Sequence, residues 1–212
     1  IMKNLITSIV NNEEGLYDGN LRHYFRLIFG GINGNNPYHN FRHSLSVFCR
    51  AYEAIRFYGE ALSRDERRAL LIAALFHDNG HSGHTGNDSK EVSEALISVE
   101  NALLDDDVYL RPDIFANILA TEVPYRREVS SLPERIIRDC DIVQVFSDTW
   151  IQQVIFGLAA ESGLTPLAML RLQLDFIPKL KFQTDWAESV YGPLKKEKLE
   201  EVRWLLEILD ED

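Results

Sequence analysis

Five of the chain's six histidines fall between positions 39 and 84, a clustering that ordinary core packing does not explain. His39 and His43 are four residues apart in a stretch of helical periodicity, so their side chains share one face. His77 and Asp78 end the apolar run Ala69–Phe76, and Asn79-Gly80 then stops the helix. A buried helix that delivers an imidazole and a carboxylate just before a glycine places both on a cavity wall. Asp139 and Asp141 follow another apolar turn, Ile136-Ile137, and offer a carboxylate from a distant part of the chain. Imidazole and carboxylate form the mixed donor set of Zn, Fe, Mn and Mg sites. A lone His-Asp dipeptide is usually coincidence, and a lone His pair is often a surface pair. Together, the order His…His-Asp…Asp on successive helices predicts a metal centre with positions left open for water.

The elements that must position these residues read as helices nearly throughout. Leu21, Tyr24, Phe25, Ile28 and Phe29 form one apolar stripe, and Leu45, Phe48, Cys49, Tyr52 and Ile55 form another. Ser63 with Glu66 reads as a capping box opening a helix through Phe76. Asn87, Asp88 or Ser89 can cap a helix to about Leu104. Pro112-Asp113 opens another that ends near Pro124, and from Pro133 the apolar pattern runs on through Phe156. Thr165-Pro166 and Pro193 open the last two. Gly30 to Pro37 is a loop, and Asp105-Asp106-Asp107 reads as a solvated turn. No segment alternates as a strand does, so the expectation is a compact all-α single domain over residues 2–212, with Ile1 set aside.

Composition narrows the function. The chain has 212 residues, 45% of them hydrophobic and 26% charged, which is ordinary globular usage. The formal charge of −11 lacks the basic footprint that duplex DNA or anionic lipid requires, so neither nucleic acid nor membrane is expected as a partner. A small anion could still bind where metal ions supply the positive charge. Cys49 and Cys140 cannot form a disulfide framework, and with no signal peptide expected they point to a cytoplasmic protein. His23 lies outside the histidine cluster and reads as structural.

The order His…His-Asp…Asp resembles the HD superfamily of metal-dependent phosphohydrolases, and more specifically the class I 3′,5′-cyclic nucleotide phosphodiesterase catalytic domains. Tyr38-His39-Asn40-Phe41-Arg42-His43 matches that family's Y-H-N-x-x-H. His77-Asp78-Asn79-Gly80-His81-Ser82-Gly83 resembles its H-D-x-x-H-x-G, with Asn87 like the asparagine that follows. Leu119-Ala120-Thr121-Glu122 is similar to L-A-T-D, and Ile136 to Ile142 resembles the segment carrying the last metal aspartate. Gln173-Leu174-Asp175-Phe176-Ile177 resembles Q-x-x-F-I, and Asp185-Trp186-Ala187-Glu188 follows it as T-W-A-D does.

The resemblance implies a role for each matching position. His43, His77, Asp78 and Asp141 would ligate zinc, and Asp78 would bridge to magnesium or manganese. His39 would be the general acid. Gln173 would hydrogen-bond the base and Phe176 would stack on it. His81, Glu100 and Thr121 would hold metal waters, with His81 a further catalytic candidate. The implied reaction opens a 3′,5′-cyclic nucleotide by attack of a metal-bridging hydroxide, with a histidine protonating the departing O3′, and yields a nucleoside 5′-monophosphate.

The chain departs from the pattern in several places. Gly80 stands where the family has a second aspartate, Glu122 replaces the L-A-T-D aspartate, and Gln144 occupies a position usually held by asparagine or another base-reading residue. The spacers are shorter than the family's. His84 is an extra histidine near the motif, and Asp139 competes with Asp141 as ligand; Asp141 is preferred because, like the family aspartate, it precedes an aliphatic residue. Competing readings are an HD nucleotidase or phosphatase on another nucleotide, a diiron HD oxygenase using His81 and His84, and a silent cyclic nucleotide binder.

Overall fold

A computed structural model describes residues 2–84, 86, 88–125 and 127–209; Asn87, one candidate helix cap and motif residue, lies outside them. The described residues are all-α, with no strand among them. The helices are α1 (Met2–Asn11), α2 (Arg22–Phe29), α3 (Phe41–Tyr58), α4 (Arg64–Phe76), α5 (Asp88–Ala102), α6 (Arg111–Ala120) and α7 (Leu132–Ile142). A π-helical segment, Ile151–Leu158, runs into the single turn α8 (Ala159–Glu161). It is followed by α9 (Pro166–Lys179), α10 (Asp185–Tyr191) and α11 (Leu194–Leu209).

Local chemistry explains most of these boundaries. Ser63 caps α4 in a reciprocal capping box with Glu66, and Ser131 does the same for α7 with Glu134. Thr165 caps α9 with Pro166 in its first turn. Every residue of α4 from Arg68 to Phe76 is buried, because α2, α3, α5, α6 and α7 all pack around it. A helix enclosed on all sides needs apolar residues on all faces, hence the unbroken run Ala69–Phe76.

Two expectations are corrected. The apolar pattern from Pro133 to Phe156 is not one helix. It ends at Ile142, passes through a 3₁₀ turn, Val143–Phe146, and resumes as the π-helical segment. Ser147 closes that break, its hydroxyl donating to the Gln144 carbonyl at 2.8 Å. Nor is the acidic run 105–107 simply solvated, since Asp107 is buried. Its carboxylate accepts from Nε and Nη2 along one edge of the Arg68 guanidinium (2.6 and 2.7 Å) and from the Tyr24 hydroxyl (2.6 Å). A paired, hydrogen-bonded charge can be buried where a lone one cannot.

Buried apolar side chains form two clusters. One joins α1 to α7 with α10; the other joins Tyr38 and Val145 with the π-helical segment, α9 and α11. Ile142 and Phe146 pack against both, which puts the seam at the end of α7.

Candidate metal centre and active site

Three helices that pack on one another, α3, α4 and α7, deliver four metal-type donors to one point. Asn40 caps α3, its side chain accepting from the Arg42 amide at 2.9 Å, and this sets the first turn that carries His43. His77 caps the end of α4, Asp78 follows it, and Asp141 lies one residue before the end of α7. His43 Nε2 is 3.1 Å from His77 Nε2 and 3.0 Å from both Asp78 Oδ2 and Asp141 Oδ1. His77 Nε2 is 2.9 Å from Asp78 Oδ2 and 3.7 Å from Asp141 Oδ1. Metal–donor bonds of about 2.1 Å place adjacent octahedral donors about 3.0 Å apart, so the separations suit a divalent ion.

The donor chemistry fits as well. His77 Nδ1 donates to the Ala74 carbonyl at 3.0 Å, which fixes the tautomer and leaves the Nε2 lone pair facing the carboxylates. Burial opposes ionisation of Asp78 and Asp141, but neighbouring histidines hold both carboxyls well below the usual carboxylate range. Burial likewise opposes charge on His77, yet Asp78 and Asp141 hold its pKa well above the ordinary value. The pocket therefore demands positive charge, which protons or a cation can supply.

After Asp78 the chain reverses through Gly80 at φ +97°, and an added Cβ there would lie 3.1 Å from that of Glu94. The backbone there occupies a region that side chains disfavour, so a residue with a Cβ at position 80 would be strained.

A second constellation lies beside the first. His39 and His81 stack with ring centroids 3.7 Å apart and planes 21° from parallel. His39 Nδ1 hydrogen-bonds the Glu161 carboxylate, which also accepts from the amides of Tyr38 (2.7 Å) and His39 (3.0 Å). Burial would lower the His39 pKa, but Asp78 and Glu161 raise it above the usual value. His81 is shifted the other way, by burial and by His39, and its Nδ1 accepts from the Gly83 amide at 3.0 Å. The two environments thus favour the protonated form of His39 and the neutral form of His81. Nearly parallel rings aim their lone pairs side by side and not at a common point, so shared ligation with Glu161 would require the stack to open.

Both constellations border a cavity of about 690 Å³ at the seam of the two clusters. His39, His81, Asp141, Gln173 and Phe176 are among its lining. Gln173 and Phe176 sit on α9, the first buried and the second partly exposed. Gln173 Nε2 donates to the Met169 carbonyl at 3.2 Å, while its Oε1 is buried without a partner. Gln144 also lines the cavity, but its amide is held between Arg50 (3.1 Å) and Ser147 (2.8 Å). His84 is exposed on the lining and joins neither donor group. Asp139 points elsewhere: it accepts from the Gln183 amide (2.9 Å) and the Thr184 hydroxyl (2.7 Å), and burial raises its pKa to about 6.

Two expected water-holding residues are not on the cavity. Glu100 lies on the exposed side of α5 and pairs with Arg111 at 2.9 Å. Thr121 is buried and donates to the Ile118 carbonyl at 2.8 Å, as the last turn of α6 requires. The buried glutamate that α5 brings to the cavity is Glu91, which accepts from the Ser82 amide (2.8 Å) and hydroxyl (2.7 Å). Neither Glu91 nor Glu161 was found from sequence. Glu161 did leave a trace, as the first charge after Asp148 in an apolar stretch.

Residues 38–99 match the family model of 3′5′-cyclic nucleotide phosphodiesterase, a segment that holds His39, His43, His77, Asp78 and His81. The chain is also similar to a Mus musculus protein, the high affinity cAMP-specific and IBMX-insensitive 3′,5′-cyclic phosphodiesterase 8A, with 39% identity over 69 residues. That similarity covers 32% of this chain and 8% of the mouse protein's length. Over residues 38–99 the chain is therefore similar to part of a class I cyclic nucleotide phosphodiesterase domain.

Proposed function

We propose that the protein is a metal-dependent hydrolase of 3′,5′-cyclic nucleotides, releasing nucleoside 5′-monophosphates. The observation that carries this reading is a four-donor cluster beside an imidazole, His39, whose Nδ1 is hydrogen-bonded to the Glu161 carboxylate, a contact that raises its pKa. His43, His77, Asp78 and Asp141 would hold zinc, with magnesium or manganese sharing Asp78. A divalent cation there would polarise the phosphoryl group and make a water nucleophilic at neutral pH. The chain's own part is to orient the ring and supply a proton. Opening the cyclic diester breaks the bond from phosphorus to O3′, and the departing alkoxide is a poor leaving group. With Nδ1 held by Glu161, His39 offers its other ring nitrogen as the acid. His81, whose pKa is lowered by burial and by His39, packs against the donor ring and is the weaker candidate for the acid.

The cavity supports a substrate with a single phosphoryl group. No Lys or Arg lines it among the described residues, whereas Asp88, Glu91, Glu122 and Asp141 do. Each further phosphate of a dinucleotide or polyphosphate would face carboxylates in place of cations. The oxygenase reading needs additional histidine ligands, and neither His81 nor His84 joins the four-donor cluster.

A hydrolysis screen over 3′,5′-cyclic, 2′,3′-cyclic, dinucleotide and triphosphate substrates with Zn, Mg and Mn tests the proposal. Turnover of a 3′,5′-cyclic mononucleotide to its 5′-monophosphate is expected. Turnover confined to the other classes would reject it. Within such a screen, Gln173→Ala is expected to raise KM for the nucleotide and leave a small base-free diester nearly unchanged. Equal losses on both would place Gln173 outside base recognition.

A further inference from the structure

We propose that Asn36 is a positioning residue that locks the His39–His81 stack, a role that rests on the proposed hydrolysis for its kinetic consequence. Asn36 lies in the loop before α3, upstream of the motif residues. Its side-chain amide donates to the His39 carbonyl at 3.1 Å and to the His81 carbonyl at 2.8 Å. One NH₂ group thus ties the strand of chain leading into α3 to the turn that leaves α4. The Asn36 carbonyl in turn accepts from the Asn40 side chain at 2.8 Å, so the tie is anchored to the α3 cap. Without it, ring stacking alone would join His39 to His81, and stacking of this kind contributes only about 1 kcal/mol.

Gly83 makes room for this tie. It sits at φ +77°, and a Cβ there would lie 2.7 Å from Asn36 Oδ1. A side chain at position 83 would collide with the asparagine before it reached anything else. Asn36 belongs to neither donor cluster and, among the described residues, is not in the cavity lining; it meets His39 and His81 at their backbone carbonyls, so its influence passes through the backbone of the two histidines.

Asn36→Asp keeps the shape, removes both donors and sets a carboxylate against two carbonyls. Asn36→Ala removes the group outright, and Gly83→Ala reaches the same joint from the other side. In zinc-loaded wild-type protein, ring-current shifts should displace the His39 and His81 ring-proton NMR resonances upfield. All three variants are expected to relax those shifts while retaining metal by elemental analysis. Turnover of a 3′,5′-cyclic nucleotide should fall about 10- to 100-fold, as misplacement of a catalytic group does. A nitrophenyl phosphodiester, which needs no acid, should be cleaved at nearly the wild-type rate. Retention of the ring-current shifts in folded Asn36 variants would overturn the proposal, as would equal losses on both substrates. If the wild type cleaves no cyclic nucleotide, the proposed function fails, and the resonance shifts still decide the role of Asn36.

Discussion

Replacing Asp141 with alanine is expected to strip most of the bound divalent ion and abolish turnover. His43 Nε2 approaches Asp141 Oδ1 and Asp78 Oδ2 at the same 3.0 Å, so removing one carboxylate takes away a donor that nothing nearby replaces. Outer-shell changes already cost about 10- to 100-fold in metal affinity, and losing a direct donor should exceed that range. The readout need not be activity. An ion that binds only the folded state raises stability, so added zinc should lift the melting temperature of the wild type and not that of Asp141→Ala. Asp139→Asn is the paired control. Asp139 accepts from Gln183 and Thr184 and lies outside the four-donor cluster, so the variant should keep its metal and lose stability by about 1–3 kcal/mol. Full metal occupancy in Asp141→Ala, with loss in Asp139→Asn, would reverse the assignment.

What the sequence made legible follows from the range of the forces involved. The Ser63–Glu66 capping box, the Thr165-Pro166 opening and the enclosed run Ala69–Phe76 are encoded within one or two turns, and each element lies where its residues predict. His43, His77, Asp78 and Asp141 were singled out by the family resemblance, which the order His…His-Asp…Asp on local helical patterns supports, although their distances needed the packing of three helices. Elsewhere the controlling partner is far away in sequence. Asp107 looked solvated because its partners, Arg68 and Tyr24, are on other helices. Glu161 reaches His39 across 122 positions, and no local pattern announces the contact. Glu100 was favoured by the family resemblance, but the face of α5 that packs inward presents Glu91 instead. The break after Ile142 escaped periodicity because the 3₁₀ and π-helical segments keep apolar residues on their inner sides.

Replacing His39 with alanine is expected to leave the metal bound and to cripple hydrolysis of a 3′,5′-cyclic nucleotide by about 10²–10⁴. The loss should track the leaving group. A nitrophenyl phosphodiester expels a stable anion and should suffer far less, whereas a ligand role would carry metal away and depress both substrates alike. Glu161 extends the prediction to pH. His39 must be protonated to act, and its pKa is raised, so activity should be sustained below that pKa and fall as pH rises through it. Asp78 contributes to the raised pKa too, but a bound divalent ion would offset that carboxylate, leaving Glu161 as the main support of the charge. In Glu161→Gln, one side-chain oxygen can still accept from the Tyr38 and His39 amides while the negative charge is gone. The alkaline limb of the rate profile should therefore move to lower pH, with metal content unchanged. An unmoved limb would separate Glu161 from proton donation, and a metal-replete His39→Ala protein that loses the same factor on both substrates would turn the search for the acid to His81 and His84.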